Sequence, residues 1–478
     1  MSDSLKSKTV KGVVWSSIER FSTQGVQFLI MIIMARLLTP KDYGLIGMLA
    51  IFLAVAQSLI DSGFSQALIR KQDRTDVDNS TVFYFNIVVS SALYLILFIA
   101  APFVADFYNQ PELTSVMRVV CLGVILNSLA VVQRALLTVR IDFKTQAKAS
   151  LSAAVISGCI GIVLAYCGFG VWSLVVQQLL NLSVNTLLLW IFSKWRPIAV
   201  FSWKSFHELF AFGSKMLASG LLDTLYRNIY PIVIGKLFSA SSLGHYTRAQ
   251  HFSEFPSSNV TGIIQRVTYP ILCGIQDETE RLEAVYRKFL KLSAFIIFPL
   301  MIGMSAVARP FIDIVLGTQW GFCGQLLQII CFAMMWYPIH AINLNLLQVK
   351  GRSDLFLRLE IIKKILGVSV LCITAPSGLI VMCYGQIFNS IVALVINTYY
   401  TGKLINVGFF KQMRDLLPTI ALCLAMFTLI LTVNHFIHSD IVKLCVGIAI
   451  GVIFYTLSSR MFKFTELDEL LSLVRKKS

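Results

Sequence analysis

Inside the apolar segments that open each half of the sequence, polar side chains recur every third or fourth position. The first set is Ser16, Arg20, Thr23 and Gln27 with Glu19 beside it, and the second is Lys215, Ser219, Asp223 and Arg227. At about 3.6 residues per turn each set falls on one face of a helix. A later segment is more polar still, with Thr247, His251, Glu254, Ser258, Thr261 and Gln265 at 4-3-4-3-4 spacing. An ionised side chain near mid-bilayer costs a few kcal/mol or more, so it persists only facing protein or a watery cavity. The cations on these faces are Arg20, Lys215, Arg227, Arg248 and Arg266, with Arg118, Arg134 and Arg309 as weaker candidates. Glu19, Asp61, Asp223 and Glu254 offset part of that charge. Guanidinium groups make planar, bidentate, charge-assisted bonds to phosphate, so a phosphate-bearing anion is the ligand this chemistry suits. His251, Asp223 and Glu254 could instead carry a coupling proton. A structural reading competes throughout: Asp223 stands one turn from Arg227, and Arg118, Arg134 and Arg266 sit close enough to span ends to snorkel. Glu360, one turn before Lys364, reads as a local ion pair.

The elements that must position these groups are membrane-spanning helices. Hydrophobic residues make up 56% of the chain and charged ones only 14%, and apolar stretches recur from end to end. A span takes roughly 20 helical residues, and barrel strands would be about ten residues of alternating polarity, which these runs are not. About fourteen spans are expected, beginning near Gly12, Tyr43, Val82, Leu113, Ala147 and Val171, then Phe206, Ser242, Leu290, Gly324, Leu355, Ser377, Leu416 and Val442. The fold class is therefore all-α and polytopic.

The formal charge of +16 raises the question of a nucleic-acid partner, but its distribution argues against one. Basic residues crowd alternate loops, as at Lys6/Lys8/Lys11, Arg70/Lys71/Arg74, Arg140/Lys144/Lys148 and Arg281/Arg287/Lys288/Lys291. The intervening connections, such as Asp106 to Glu112 and Pro376 to Gly378, are nearly free of them. This is positive-inside asymmetry, and it places both termini in the cytoplasm. No cleavable signal peptide is expected. The ten cysteines show no CxxC and no metal spacing, so they read as small apolar filler, and no metal or cofactor is expected. There is no Walker A, HExxH, G-x-S-x-G or Gly-rich dinucleotide loop, and the external connections are too short for a catalytic domain. The tail after Arg460, with Leu467, Leu470, Leu471 and Val474 on one face, reads as an amphipathic surface helix.

The chain also repeats itself. Ala35 to Gly44 (ARLLTPKDYG) lines up with Gly235 to Gly244 (GKLFSASSLG) at an offset of 200. Leu136 to Arg140 and Leu346 to Lys350 match at an offset of 210. Six spans precede the second copy, so both copies start on the same side and form a parallel repeat, as in some transporters. The expected organisation is a six-helix lobe over 1–200, a second over 201–405, two additional spans over 406–460 and the tail over 461–478. Two lobes sharing a polar seam is the layout of an alternating-access carrier.

The runs Ala35 to Leu45, Asp61 to Arg70, Gly168 to Val175, Trp195-Arg-Pro197, Gly244 to Ala249 and Val267-Thr-Tyr-Pro270 with Gln276-Asp277 carry a family likeness. In this order and spacing, from about Lys8 to about Lys403, the chain resembles the polysaccharide-export flippases of the multidrug/oligosaccharidyl-lipid/polysaccharide superfamily. The resemblance is greatest to colanic-acid-type exporters. It implies two six-helix lobes around a central cationic cavity in the bacterial inner membrane. It implies carriage of undecaprenyl-diphosphate-linked repeat units from the cytoplasmic to the outer leaflet, for lipopolysaccharide, capsule or exopolysaccharide assembly. Polysaccharide polymerase and chain-length proteins are the implied partners, beside membrane lipids. Arg20, Arg227, Arg248 and Arg266 lie on helices whose arginines serve the diphosphate in such flippases, whereas the second helix departs with Asp61 and no deep Arg. A multidrug/cation antiporter of the same superfamily and a non-transporting scaffold of a polysaccharide assembly complex are the alternatives.

Overall fold

The computed structural model describes residues 22–61 and 63–469, with no strand among them. Helix α1 (Ser22–Leu37) is the described part of the first apolar segment. It is followed by α2 (Pro40–Asp61), α3 (Phe64–Arg70), α4 (Asp76–Tyr108) and a broken span α5–α7 (Glu112–Val120, Leu122–Ser128, Val131–Val139). Helices α8 (Phe143–Tyr166) and α9 (Val171–Ser193) close the first copy of the repeat. The second copy opens on α10 (Trp203–Arg227), α11 (Ile229–Leu237), α12 (Ala240–Gly274), α13 (Thr279–Ala306) and α14 (Ala308–Val315). The chain then runs through α15 and α16 (Gly321–Met334, Tyr337–Val349), α17 (Ser353–Thr374) and α18 (Leu379–Ile405). Finally come α19 (Phe409–His435), α20 (Asp440–Met461) and a short helix over 465–469.

Ten helical stretches among the described residues are long and apolar enough to cross a bilayer. Outside that set, besides the short α14 and the 465–469 helix, are α1, α10–α11, α12 and α17. Three of these four coincide with the polar-faced segments of the sequence, and α17 carries Arg358, Glu360, Lys363 and Lys364.

The repeat reappears in local geometry. The α1–α2 corner is closed by Thr39, whose N–H and Oγ1 donate to Asp42 Oδ2 at 2.9 and 2.7 Å. Two hundred residues on, the α11–α12 corner is closed by Ser239, which accepts from the Ser242 N–H at 3.1 Å. A hydroxyl three residues before a polar partner caps both helices. At the offset of 210, Ile141 and Gly351 both take positive φ (57° and 67°), as do Gly168 and Gly378 (82° and 108°).

The chain divides into two compact units between Gly244 and His245. The sequence repeat begins again near residue 201, whereas α10 and α11 pack within the first unit. There Phe64, Phe83, Val132, Trp195 and Leu209 form a buried cluster. The connector before α10 is stitched to the first turns of α4. Trp195 Nε1 donates to Asp76 Oδ1 (3.1 Å), Ile198 N to Ser80 Oγ (3.0 Å) and Ser202 N to Thr81 Oγ1 (3.1 Å). A non-helical connector leaves N–H groups that must find acceptors, and α4 lends its hydroxyls.

In the second unit Tyr286, Phe298 and Trp320 are fully buried. The amides of Asn343 and Gln412 bond reciprocally at 3.1 and 3.0 Å, tying α19 to α16. Thr401 Oγ1 accepts from the same Gln412 amide at 3.1 Å. Buried polar groups must satisfy one another, because burial removes the water that would otherwise do so. Exposed apolar residues line up on helix faces, for example Val88, Leu95, Ile99 and Phe103 on α4 and Ile441, Ile448 and Val452 on α20. The 7-4-4 and 7-4 spacings put each set on one stripe, which acyl chains cover.

Candidate functional site

Arg227 occupies the break between α10 and α11. Pro231, one turn further on, has no N–H to offer the Arg227 carbonyl, so α10 stops there and α11 restarts after Asn228. Asn228 Nδ2 bonds the Thr224 carbonyl at 2.8 Å and covers part of the open helix end. A cation at a helix C-terminus is favoured by the macrodipole. Arg227 lies ten residues before Leu237, the end of α11. At about 1.5 Å per residue that is ~15 Å along the helix axis. Its Nε donates to Asp223 Oδ2 at 2.8 Å, and its side chain is 76% exposed. A guanidinium so exposed has room to meet an anionic ligand. The one-turn pairing of Asp223 with Arg227 expected from spacing is therefore present, on an open surface.

The other residues singled out fall differently. Arg20 and Glu19 lie outside the described residues. Lys215 lies within α10 and Asp61 ends α2, but their side chains are outside the described set. On α12, His251, Glu254 and Arg266 are exposed and Arg248 is half-buried. The α12 stripe does not stay on one environment. His251, Glu254 and Ser258 are exposed, while Thr261 is buried and Gln265 Nε2 donates to Asn345 Oδ1 on α16 at 3.4 Å. Ser257, on the opposite flank, donates to the Met334 carbonyl at 2.8 Å. Polar groups on α12 thus serve its packing as well as its open face.

The weaker candidates have local partners. Arg118 stacks over Phe98 at 4.3 Å, Arg134 donates to Asn127 Oδ1 at 3.5 Å, and Arg309 is 3.9 Å from Asp313. Glu360 takes part in a local ion pair, with Lys363 in i,i+3 geometry. Among the described residues no group of His, Cys, Asp and Glu is placed to hold a metal.

Two features of the seventh span were not read from sequence as a site. At one end, α10 enters an aromatic cluster in which Phe206 lies 4.9 Å from Phe85 and 6.0 Å from Phe64, with Phe210 at 5.3 Å from Phe206. Beside it Lys71 Nζ bonds Glu208 (3.1 Å) on α10 and Asp78 (3.2 Å) on α4. Burial alone would lower the Lys71 pKa, but the bonds to Glu208 and Asp78 outweigh it and hold the pKa above the ordinary lysine value. At the other end, Gly44 and Gly244 meet backbone on backbone. A Cβ on Gly44 would lie 1.7 Å from the Ala240 carbonyl oxygen, and one on Gly244 would lie 1.9 Å from that of Pro40. The two copies of the repeated motif therefore pack on each other through equivalent glycines. Gly235 adds to the contact against Tyr108 and Met48, and Lys236 Nζ donates to the Phe107 carbonyl at 2.6 Å. The signal for this crossing was present in sequence as the matched glycines, but their mutual contact was not.

The sequence profile of the polysaccharide biosynthesis protein family matches residues 33–325. The chain belongs to this family. Among curated members of similar sequence, the teichuronic acid biosynthesis protein TuaB of Bacillus subtilis is 26% identical over 459 residues, 95% of each chain. The succinoglycan biosynthesis transport protein ExoT of Rhizobium meliloti is 25% identical, covering 99% of this chain and 97% of its own. The fold is that of lipid II flippase MurJ in an inward closed conformation. The TM-score is 0.76 at 13% identity, over 94% of this chain and 99% of that one. The family match takes in both glycine motifs, Arg227 and the whole of α12. The polysaccharide-export resemblance read from sequence is thereby shown, as is the all-helical polytopic fold.

Proposed function

We propose that this polysaccharide biosynthesis protein is a carrier, not an enzyme. It moves undecaprenyl-diphosphate-linked oligosaccharide units from the cytoplasmic to the outer leaflet of the inner membrane by alternating access. The observation that carries the reading is Arg227, open at a helix break, in a chain whose family builds polysaccharides. The names of two similar proteins support the class of cargo, a succinoglycan transport protein and a lipid II flippase. In this reading the six-helix lobes span 1–200 and 201–405. Helices α1, α10–α11, α12 and α17 complete fourteen spans, and both termini are cytoplasmic. Arg227, with Arg20, Lys215, Arg248 and Arg266, receives the diphosphate; Glu19, Asp61, Asp223, His251 and Glu254 tune its field or carry a coupling ion. Polymerase and chain-length proteins take the cargo on the far side.

The energetics agree with outward carriage. The diphosphate bears roughly two negative charges, each worth about 2.3 kcal/mol per 100 mV of membrane potential, so export from a negative interior is downhill without ATP. The test is leaflet accessibility of a lipid-diphosphate-linked oligosaccharide in proteoliposomes. Protein-dependent exposure of the sugar at the opposite face, lost in Arg227→Ala, supports flipping through this cation. No exposure despite folded, inserted protein refutes the proposal, and drug efflux by the same preparation would replace it with the antiporter reading.

A further inference from the structure

One end of the second unit holds a cluster of basic groups that the proposed transport does not use. Arg287, Lys288 and Lys291 project from the first half of α13, and no charged residue follows from Leu292 to the end of that helix at Ala306. On α19 the charges likewise stop at Asp415, with none before His435. Both helices therefore change from charged to apolar at Lys291 and Asp415, which sets those residues at the depth of lipid headgroups.

Asp415, 5% exposed, grips Arg287 with two bonds of 2.7 Å and stands 3.5 Å from Lys291. Glu283 is shared between Arg287 and Lys411. Three cations, Arg287, Lys291 and Lys411, thus face two carboxylates on these helices. The remaining negative charge comes from the chain after α20. The 465–469 helix folds back with Phe464 against Phe295, and Glu469 Oε1 meets Lys288 Nζ at 2.7 Å. Between that helix and α13 lies a cavity of about 320 Å³, lined by the three basic side chains and by Thr465, Glu466 and Glu469.

We propose that this cavity binds the phosphate of an anionic phospholipid headgroup, and that Glu469 is an internal carboxylate competing for the same cations. The chemistry is that of Lys and Arg at an anion: Lys288 and Lys291 supply ammonium groups and Arg287 a guanidinium already oriented by Asp415. The depth is that of the headgroup phosphate, and a lipid approaches along the exposed apolar surface beside it. Displacing Glu469 frees Lys288, so lipid binding releases the tail from α13. The inference does not depend on the flippase reading.

The test uses the full chain in detergent, titrated with phosphatidylglycerol and separately with phosphatidylcholine, bound lipid being counted by native mass spectrometry. Phosphatidylglycerol should be retained selectively. Lys288→Gln with Lys291→Gln should weaken it about tenfold, the loss of one or two charge-assisted bonds. Glu469→Gln, which leaves all three cations in place, should strengthen it several-fold and so guards against misreading a misfolded variant. Equal retention of the two lipids, an unaltered affinity in the double variant, or weaker binding in Glu469→Gln each overturns the proposal. Displacement of phosphatidylglycerol by millimolar inorganic phosphate would show that the cavity takes a free anion and overturn the lipid assignment.

Discussion

Gly44→Ala is the smallest change that should force the two copies of the repeated motif apart. The added Cβ would sit 1.7 Å from the Ala240 carbonyl oxygen and 2.4 Å from its carbon. Carbon–oxygen contacts settle near 3.3–3.6 Å, so the helices must separate locally by roughly 1.6 Å or more. Both partners are backbone, and no side-chain rotation can relieve the clash. Overpacking of this kind costs about 1–3 kcal/mol. If this crossing closes one end of the carrier, the same energy shifts the closed-to-open equilibrium about 5- to 150-fold toward open. The readout is Leu243→Cys, fully buried beside the crossing, in a chain whose ten native cysteines are replaced. Its labelling by a membrane-impermeant maleimide should accelerate by that factor in the Gly44→Ala background, and Gly244→Ala should do the same from the other side. Unchanged labelling in protein that inserts at normal levels would refute the argument, because it would mean the crossing accommodates a methyl group without parting.

The remaining expectations follow from single side chains. Arg227→Ala should abolish leaflet transfer while insertion is retained. Arg227→Lys should restore only part of it, since an ammonium lacks the bidentate fork; full activity in both would remove Arg227 from the site. Asp415→Ala leaves Lys291 without its carboxylate and Arg287 with only Glu283, which Lys411 shares. The 3–5 kcal/mol of a fully buried pair, discounted for the partial exposure of Arg287, gives roughly 2 kcal/mol of destabilisation, read as a lowered melting temperature in detergent. Phe64→Ala removes a fully buried ring from the aromatic cluster at the foot of α10 and should cost about 3–5 kcal/mol in the same assay. An unaltered melt would mean that the cluster does not bear on stability.

The features legible in the sequence are those that repeat along the chain. The offset of 200 returned as the same helix corner, Thr39 with Asp42 and Ser239 with Ser242, because a capping hydroxyl and its partner are three residues apart and visible locally. The offset of 210 returned as paired left-handed turns, even where one member is Ile141 rather than a glycine. Interactions across the fold had no such signal. Arg287 and Asp415 are 128 residues apart, Lys71 and Glu208 are 137 apart, and nothing in either neighbourhood names its partner. Spacing within one helix did better, since it placed Asp223 against Arg227, but it did not reveal that Pro231 would end α10 at Arg227.

The same physics explains why hydropathy counts ten crossing helices where the loop pattern counts about fourteen. A helix facing lipid all round must be apolar all round, so it announces itself as a span. A helix with one face toward water or cargo trades apolar residues for polar ones and drops below the threshold. Helices α10–α11 and α12 do so with Asp223, Arg227, His251 and Glu254. The spans hardest to read as spans are therefore those whose side chains have work other than meeting lipid. That weakness of the hydropathy signal is itself positional information: it marks α10–α11 and α12 as the helices to mutate first.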